Sequence, residues 1–321
     1  MHEQTLVEKS ESEPKSGEHF DLIIIGAGPG GMSAAICAAR AKLKILVVER
    51  ALPGGETTSA YMVDNYLGFN GILGETLASK METHMNSYNI SYTCEKVENI
   101  IQMQDQGKLI RTELGNEYRA TAVIIATGLE PKKFNTEFEK KFIGRGISYY
   151  AKCDVDYYKD EEVAVIGGGN CACYAADYLS GFVKKVYLIH KTNDIKAVRS
   201  LKERILSNPN IETIWDSRVI EAFGLKKIEK IKVQNTRNDQ HTWLNVKGVF
   251  VYIGRIPSDI PFNINIRVDE DGYIITDEYM RTNIRGVYAV GDIRSKQIRQ
   301  IPTAVADGMI AAINAERDFF R

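Results

Sequence analysis

The sequence predicts an α/β protein built from two Rossmann-like folds, each a parallel sheet sandwiched into three layers. A β-branched run that stops at a glycine turn, followed by an alanine-rich helical stretch and a second strand, occupies residues 21–49. The same order of signals recurs at 162–190. A chain of 321 residues suits about two domains of this kind.

Composition narrows the class further. Hydrophobic residues make up 44% and charged residues 26%, the balance of a globular chain rather than a disordered one. The 41 basic residues nearly cancel the 42 acidic ones, so no global field draws the chain to nucleic acid or to a membrane surface. The longest apolar runs, Leu22 to Ile25 and Ala122 to Ala126, are strand-sized and too short to span a bilayer. Residues 1–19 are polar, lack the apolar core of a signal peptide, and read as a flexible lead-in to a cytoplasmic protein. Five unevenly spread cysteines do not make a disulfide scaffold, and no Cys/His spacing fits a metal.

In the first unit the strand Asp21 to Ile25 stops at Gly26-Ala27-Gly28-Pro29-Gly30-Gly31, a helix follows over Met32 to Ala41, and the strand Lys44 to Val48 closes on Glu49. Gly26, Gly28 and Gly31 satisfy G-x-G-x-x-G in the strand–turn–helix context that gives this motif meaning. The first glycine permits the tight turn, the second lets the backbone approach a pyrophosphate, and the third lets helix and strand pack closely. The diphosphate then lies on the helix N-terminus, where free N–H groups and the helix dipole favour an anion. Glu49, 23 residues past Gly26, can accept both ribose hydroxyls. A dinucleotide is expected here.

In the second unit the strand Glu162 to Ile166 leads into Gly167-Gly168-Gly169-Asn170-Cys171-Ala172, a helix to about Ser180, and a strand Lys185 to Ile189 ending at His190. Gly167, Gly169 and Ala172 fill the three roles, with Asn170 at the helix start. No acidic residue closes the second strand, so the strong ribose contact of an NAD site is missing. Lys191 and Lys196 can meet a 2′-phosphate as point charges, without the arginine fork, or simply solvate the surface. One nucleotide held tightly and another visiting as donor is the reading that two such turns suggest.

Several ordered segments outside the turns make the chain resemble the low-molecular-weight thioredoxin reductases from about Phe20 to the C-terminus. Pro53-Gly54-Gly55-Glu56-Thr57-Thr58 resembles the family's GGQ segment, and Val63-Asp64-Asn65-Tyr66-Leu67-Gly68-Phe69 its V-E-N-x-x-G-F run. Ala126-Thr127-Gly128 resembles the strand end that closes the flavin domain. Gly144-Arg145-Gly146-Ile147-Ser148-Tyr149 resembles the lead-in to the redox cysteines, and Thr282 with Gly286-Val287-Tyr288-Ala289-Val290-Gly291-Asp292 the second flavin signature. Arg299-Gln300-Ile301 resembles the family's R-Q-x helix start beside the isoalloxazine, where the helix dipole favours negative charge on reduced flavin.

The resemblance implies FAD as cofactor, with either NADPH or NADH as donor left open. It implies cofactor contacts from Gly26, Gly28, Pro29, Gly30, Gly31 and Glu49, and from Gly55, Glu56, Thr58, Asn65 and Val97. Further contacts would come from Ala126, Thr127 and Gly128, and from Gly291, Asp292, Arg299, Gln300, Ile301 and Ala304. It also implies a flavin domain of two segments, 20–130 and 256–321, with a nucleotide domain inserted at 131–255, and a homodimer.

The chain departs from the family at the redox motif. Where C-x-x-C-D is expected, it carries Tyr150-Ala151-Lys152-Cys153-Asp154. The thiol that would exchange with a partner protein is replaced by Tyr150, while the flavin-proximal thiol and the following acid survive as Cys153 and Asp154. An internal disulfide needs two sulfurs. A single thiolate can still form a mixed disulfide with substrate or cycle through sulfenic acid, with Asp154 supplying a proton; alternatively Cys153 is a packed relic.

Of the other cysteines, Cys37 and Cys94 are expected in the core. Cys171 and Cys173 open the second helix, where its dipole lowers a thiol pKa, although inert packing is the simpler reading. The charge run Glu137 to Lys141 reads as a solvated surface. Three functions remain in competition: a thioredoxin-reductase-like enzyme acting on a thioredoxin-like protein or small disulfide, an FAD-only electron-transfer reductase serving a ferredoxin-like or flavodoxin-like carrier, and a non-catalytic FAD-binding sensor.

Overall fold

The computed structural model describes residues 14–105, 107–258 and 262–321. The chain divides into two compact units, one made of 1–130 with 256–321 and the other of 131–255. The part of the expected lead-in at 1–13 lies outside the described residues. Residues 17–19 depart from that expectation, because Gly17 N donates to Glu117 O at 2.6 Å and the first strand begins at His19.

The first segment runs β1 (His19–Ile25), α1 (Pro29–Arg40), β2 (Ile45–Glu49), α2 (Gly74–Asn86), β3 (Ser91–Cys94), β4 (Val97–Gln102), β5 (Lys108–Thr112) and β6 (Glu117–Ile125). The inserted segment runs α3 (Glu137–Phe142), β7 (Ile147–Ser148), α4 (Ala151–Asp154), β8 (Glu162–Ile166), α5 (Asn170–Ser180), β9 (Lys185–Ile189), α6 (Arg199–Ser207) and β10 (Ile211–Ile214). It continues through β11 (Ser217–Phe223), β12 (Lys230–Asn235), β13 (His241–Leu244) and β14 (Gly248–Val251). The last segment returns as β15 (Phe262–Asn263), β16 (Val287–Ala289) and α7 (Ile301–Phe319).

In the first unit the sheet order is β15-β4-β5-β6-β1-β2-β3, with β16 also on β6. The strands β6, β1, β2 and β3 are parallel, while β4, β5 and the first half of β6 form an antiparallel meander. β6 is shared: residues 117–120 pair with β5, and 123–125 with β16.

The unbroken apolar run of β1 follows from burial on both faces. Leu22 and Ile24 join a core with α1 and α7, whereas Ile23 and Ile25 join one with Val97, Ile110 and Tyr118 on the opposite face. This alternation is the period of two of a pleated strand. Burying each such side chain contributes roughly 1.5–3 kcal/mol. The helices α1 and α7 touch at backbone distance, since a Cβ on Gly308 would stand 2.0 Å from Gly30 O.

In the second unit a parallel sheet β7-β14-β8-β9-β10 carries helices on one face and the antiparallel sheet β11-β12-β13 on the other. Val163 and Val165 pack with α5, and Ala164 and Ile166 with Val219, Ile231 and Val233.

Two readings of the charge and cysteine patterns are corrected here. The run 137–141 is helical and Glu139 turns inward, 4% exposed, accepting from Asn135 N at 2.7 Å and from the Tyr149 hydroxyl. Cys94 is exposed rather than in the core, because β3 is the edge of its sheet.

Candidate functional site

The two glycine turns are built alike, and comparing them shows what each can hold. Gly26 takes φ +105° and Gly167 φ +142°, where a Cβ would strike Ala126 O at 2.5 Å and Tyr252 O at 2.3 Å. These are positions for glycine on both conformational and steric grounds. The next residue is clamped from the loop after the second strand: Ala27 O accepts from Gly54 N at 2.8 Å, and Gly168 O from Lys196 N at 2.6 Å. At Gly28 and Gly169 a Cβ would meet no protein atom within 4 Å. Both glycines therefore leave open space at the N-termini of α1 and α5, where the helix ends present unpaired N–H groups to an anion.

The turns differ in what closes them. In the first, the Glu49 carboxylate accepts from Ala27 N at 2.7 Å and Ala51 N at 3.1 Å, which fixes it at the strand end. The same offset in the second turn brings His190, whose ring fills the place of a Gly168 Cβ at 2.4 Å and is 7% exposed. Burial holds its pKa below the ordinary value of 6.5, against a hydrogen bond to the Asp194 backbone, and the charges of Lys191 and Lys196 add to the lowering. Lys191 and Lys196 are exposed, and the Asn170 side chain is engaged, its Oδ1 accepting from Val198 N at 2.9 Å.

A cleft in the first unit is lined by Gly26, Glu49, Arg50, Glu95, Lys96, Val97, Thr127 and Ser258. Four of these were not singled out from sequence: Arg50, Glu95, Lys96 and Ser258. Arg50 pairs with Glu130. Glu95, 6% exposed, accepts from Thr93 at 2.7 Å, Tyr118 at 3.0 Å and Asn116 at 3.1 Å, and from Thr112. Burial works to raise its pKa, and these bonds outweigh burial and lower it. Thr127 Oγ1 and Ser258 Oγ are buried without a hydrogen-bond partner among the described residues.

The remaining sequence-selected residues of this unit fall into two groups. Gly55, Glu56 and Thr58 lie in a 3₁₀ turn, Gly55–Ser59, in which Thr58 Oγ1 donates to Gly55 O at 2.8 Å. A Cβ on Gly55 would stand 3.3 Å from Gly28 Cα, so this turn lies against the first glycine turn. Asn65 Nδ2 donates to Gln300 Oε1 at 3.0 Å, joining two motifs far apart in sequence. Gln300 caps α7 through a reciprocal box with Thr303, and Ile301 is the first helical residue. Arg299 Nε donates to Asp292 O at 3.2 Å, and its guanidinium lies 3.8 Å from the Tyr273 ring centroid.

A buried acid that sequence reasoning missed secures the Gly291–Asp292 turn. Asp307 on α7 accepts from Gly291 N at 3.0 Å, Arg294 at 2.8 Å and Lys296 at 2.9 Å. Pro29 and Gly30 open α1, and a Cβ on Gly30 would stand 3.1 Å from Ala304 O. Backbone this close to open space, a helix N-terminus, a fixed carboxylate and two unsatisfied buried hydroxyls together fit a dinucleotide such as FAD.

In the second unit Ala151 and Val155 bury one side of the short α4 region. Ala151 N donates to the Tyr252 hydroxyl at 3.1 Å. Cys153 projects from the other side and is exposed, with Asp154 half-buried beside it and Tyr150 exposed. Asp154 also bears on Tyr158, whose phenol pKa is raised first by burial and then by that charge. Cys171 is exposed, but Cys173 is fully buried, and burial pushes its thiol up to about 11, so the helix dipole does not activate it. Cys37 is partly buried against the first core.

Among the described residues no helix is long and apolar enough to cross a membrane, and no group of three His, Cys, Asp or Glu side chains is placed to hold a metal ion.

Comparison with known proteins agrees with this architecture. The pyridine nucleotide-disulphide oxidoreductase family matches residues 20–308. A 34.2 kDa protein in the rubredoxin operon of Clostridium pasteurianum is 42% identical over 94% of this chain and 98% of its own length. The thioredoxin reductase of Listeria innocua is 38% identical over 93% of each chain. The crystal structure of Lactococcus lactis thioredoxin reductase superposes with a TM-score of 0.89 at 37% identity, covering 94% of this chain and 99% of the other. The chain therefore belongs to the pyridine nucleotide-disulphide oxidoreductase family, in which it is an FAD-dependent oxidoreductase of the thioredoxin-reductase type.

Proposed function

We propose that the chain is a single-thiol reductase, drawing electrons from FAD and passing them to a disulfide through Cys153. The observation that carries this reading is an exposed Cys153 with Asp154 beside it and Tyr150 three residues earlier, where the resemblance leads one to expect the exchanging thiol. The flavin segments are 20–130 and 256–321, the nucleotide segment is 131–255, and two copies associate as a homodimer in the cytoplasm.

Bound FAD supplies the two electrons of the reaction. The Cys153 thiolate attacks one sulfur of an incoming disulfide, the substrate S–S bond breaks, and the leaving thiolate takes a proton from Asp154. That step consumes no electrons; the two electrons and a second proton then cleave the Cys153 mixed disulfide, release the second substrate thiol and restore the Cys153 thiolate. Relatives named as thioredoxin reductases make a thioredoxin-like protein one candidate substrate, beside small disulfides. In the second glycine turn, His190 in place of a carboxylate and lysines in place of arginines favour a weak, poorly discriminating site for NADPH or NADH.

A second reading, electron transfer by FAD alone to or from a small carrier, is favoured by Tyr150 and by the relative described from a rubredoxin operon. Anaerobic mixing of the flavin-loaded protein with NADPH, NADH and reduced ferredoxin, followed by flavin absorbance, separates the two. Reduction by pyridine nucleotide with Cys153-dependent turnover of a disulfide supports the single-thiol reductase. Reduction by ferredoxin alone, with turnover unchanged in Cys153→Ser, supports the other.

A further inference from the structure

One strand of the second unit carries the segment that presents Cys153. Before that segment, Ser148 pairs with Phe250 of β14, and its buried hydroxyl accepts from Tyr150 N at 3.0 Å. After it, the Tyr158 ring lies over the same strand. A Cβ on Gly248 would stand 2.8 Å from that ring, which also meets the Phe250 ring edge-on at 5.4 Å. Between these two anchors runs α4 with Cys153.

Tyr252, one residue past β14, supplies a third hold. Its hydroxyl accepts from Ala151 N at 3.1 Å, the first N–H of α4, which the Tyr150 side chain does not cap. Ala151 is 4% exposed, so water reaches that N–H poorly. The N–H groups of a helix start have no partner within the helix, and one buried without an acceptor is costly. Tyr252 is itself fixed through its backbone. Its N–H donates to Ile166 O at 2.8 Å, and its carbonyl oxygen lies 2.3 Å from the place of a Gly167 Cβ. The phenol therefore ties the start of the thiol segment to the strand end that closes the second glycine turn.

We propose that Tyr252 is a positioning residue for Cys153, its hydroxyl setting where α4 begins and hence where the thiol stands when it attacks a disulfide. The proposal rests on the single-thiol reading. It places a determinant of the reaction 101 residues beyond Ala151 in the chain, in a strand end that none of the sequence motifs contains.

The test uses the full chain with FAD bound. Under anaerobic conditions the flavin is photoreduced and mixed with hydroxyethyl disulfide, and its reoxidation is followed by absorbance. In a separate measurement, iodoacetamide labelling of Cys153 and Cys171 is timed by peptide mass spectrometry. Tyr252→Phe keeps the ring and deletes only the hydroxyl. Its reoxidation rate at saturating disulfide should fall about tenfold, with the half-saturating concentration unchanged. Its Cys153 should label about three- to tenfold faster, because the segment opens more readily by the worth of one net hydrogen bond, while Cys171 keeps the parent rate. Slower transfer with faster labelling marks a thiol that is accessible but misplaced. Parent-like transfer in Tyr252→Phe, or parent-like labelling of its Cys153, overturns the proposal. Equal changes at Cys153 and Cys171 also overturn it, because Tyr252 then acts through the fold of the whole unit. Parent-like reoxidation in Cys153→Ser overturns the single-thiol reading itself, a result visible before Tyr252 is changed.

Discussion

Removing the Asp307 side chain should cost the first unit more stability than any exposed charge substitution. Its carboxylate holds Gly291 N, Arg294 and Lys296 at 2.8–3.0 Å, and the three side chains are only 10–12% exposed. In Asp307→Ala both cations lose a charged acceptor, keeping the Thr276 and Thr303 hydroxyls, and Gly291 N loses its carboxylate partner, in a site that water reaches poorly. Breaking a buried ion pair by deleting one partner costs about 3–5 kcal/mol. For a unit of this size that corresponds to a fall in melting temperature of about 6–20 °C. Asp307→Asn keeps one acceptor oxygen and loses the charge, so its loss should be smaller, about 1–3 kcal/mol. Thermal unfolding followed by far-ultraviolet circular dichroism, with flavin release recorded by fluorescence in the same scan, measures both quantities. The Gly291–Asp292 turn should loosen first, so flavin should leave before the secondary structure melts. An Asp307→Ala protein melting within about 2 °C of its parent would refute the reasoning, since two buried cations cannot lose this carboxylate so cheaply.

Gly28→Ala and Gly31→Ala should fail differently. A Cβ at Gly28 meets no protein atom, so that variant should fold normally and bind FAD poorly, whereas at Gly31 it would lie 1.9 Å from Gly26 O and the fold itself should suffer. Circular dichroism together with flavin absorbance tells them apart, and full flavin retention in Gly28→Ala would count against the site. Glu95 keeps a folded pKa below its ordinary 4.5, so its contribution is in place above that value and is lost as the pH falls through the lower, folded one. Glu95→Gln should therefore flatten the acid limb of a stability–pH profile, and an unchanged limb would show that the hydrogen bonds do not hold the charge. At pH 8 iodoacetamide should label the exposed Cys94, Cys153 and Cys171, and spare Cys173, whose thiol at about 11 is only about 0.1% thiolate. Peptide mass spectrometry reads this directly. Cys153→Ser should lose reduction of small disulfides while keeping FAD, and parent-like turnover would dismiss the single-thiol mechanism.

The glycine turns were legible because only a few residue types fit their backbone: the Cβ distances at Gly26 and Gly167 leave no alternative. The strands of the doubly buried sheets were legible for a related reason, since continuous β-branched runs have few other uses. What the sequence hid depends on tertiary placement. Glu139 sits in a run of charges, and only the helical turn that aims it at Tyr149 makes it a buried acceptor. Cys94 looks like any strand residue until the strand proves to be an edge. Asp307 and Ser258 carry no motif at all. Each acquires meaning from residues brought close by the fold, Gly291 in one case and Thr127 in the other, and no spacing rule in one sequence reports such proximity. His190 was noticed only as a missing acid; its packing beneath Gly168 could have been suspected from the middle one of three consecutive glycines, which leaves room for a ring.

The split of the first unit into two segments has a consequence for how the protein is made. Strand β6 leaves the ribosome early, yet its partner β16 and the helix α7 that covers α1 are encoded in the last 35 residues. The inserted unit, by contrast, has every strand of its sheets within 131–255. During synthesis the middle of the chain can fold while the beginning waits with one face of its sheet only partly covered, by α1 and α2. Leu22, Ile24 and Ala122 are then covered from the side of α1 alone until α7 has been made, and loss of that helix would leave part of the face permanently open.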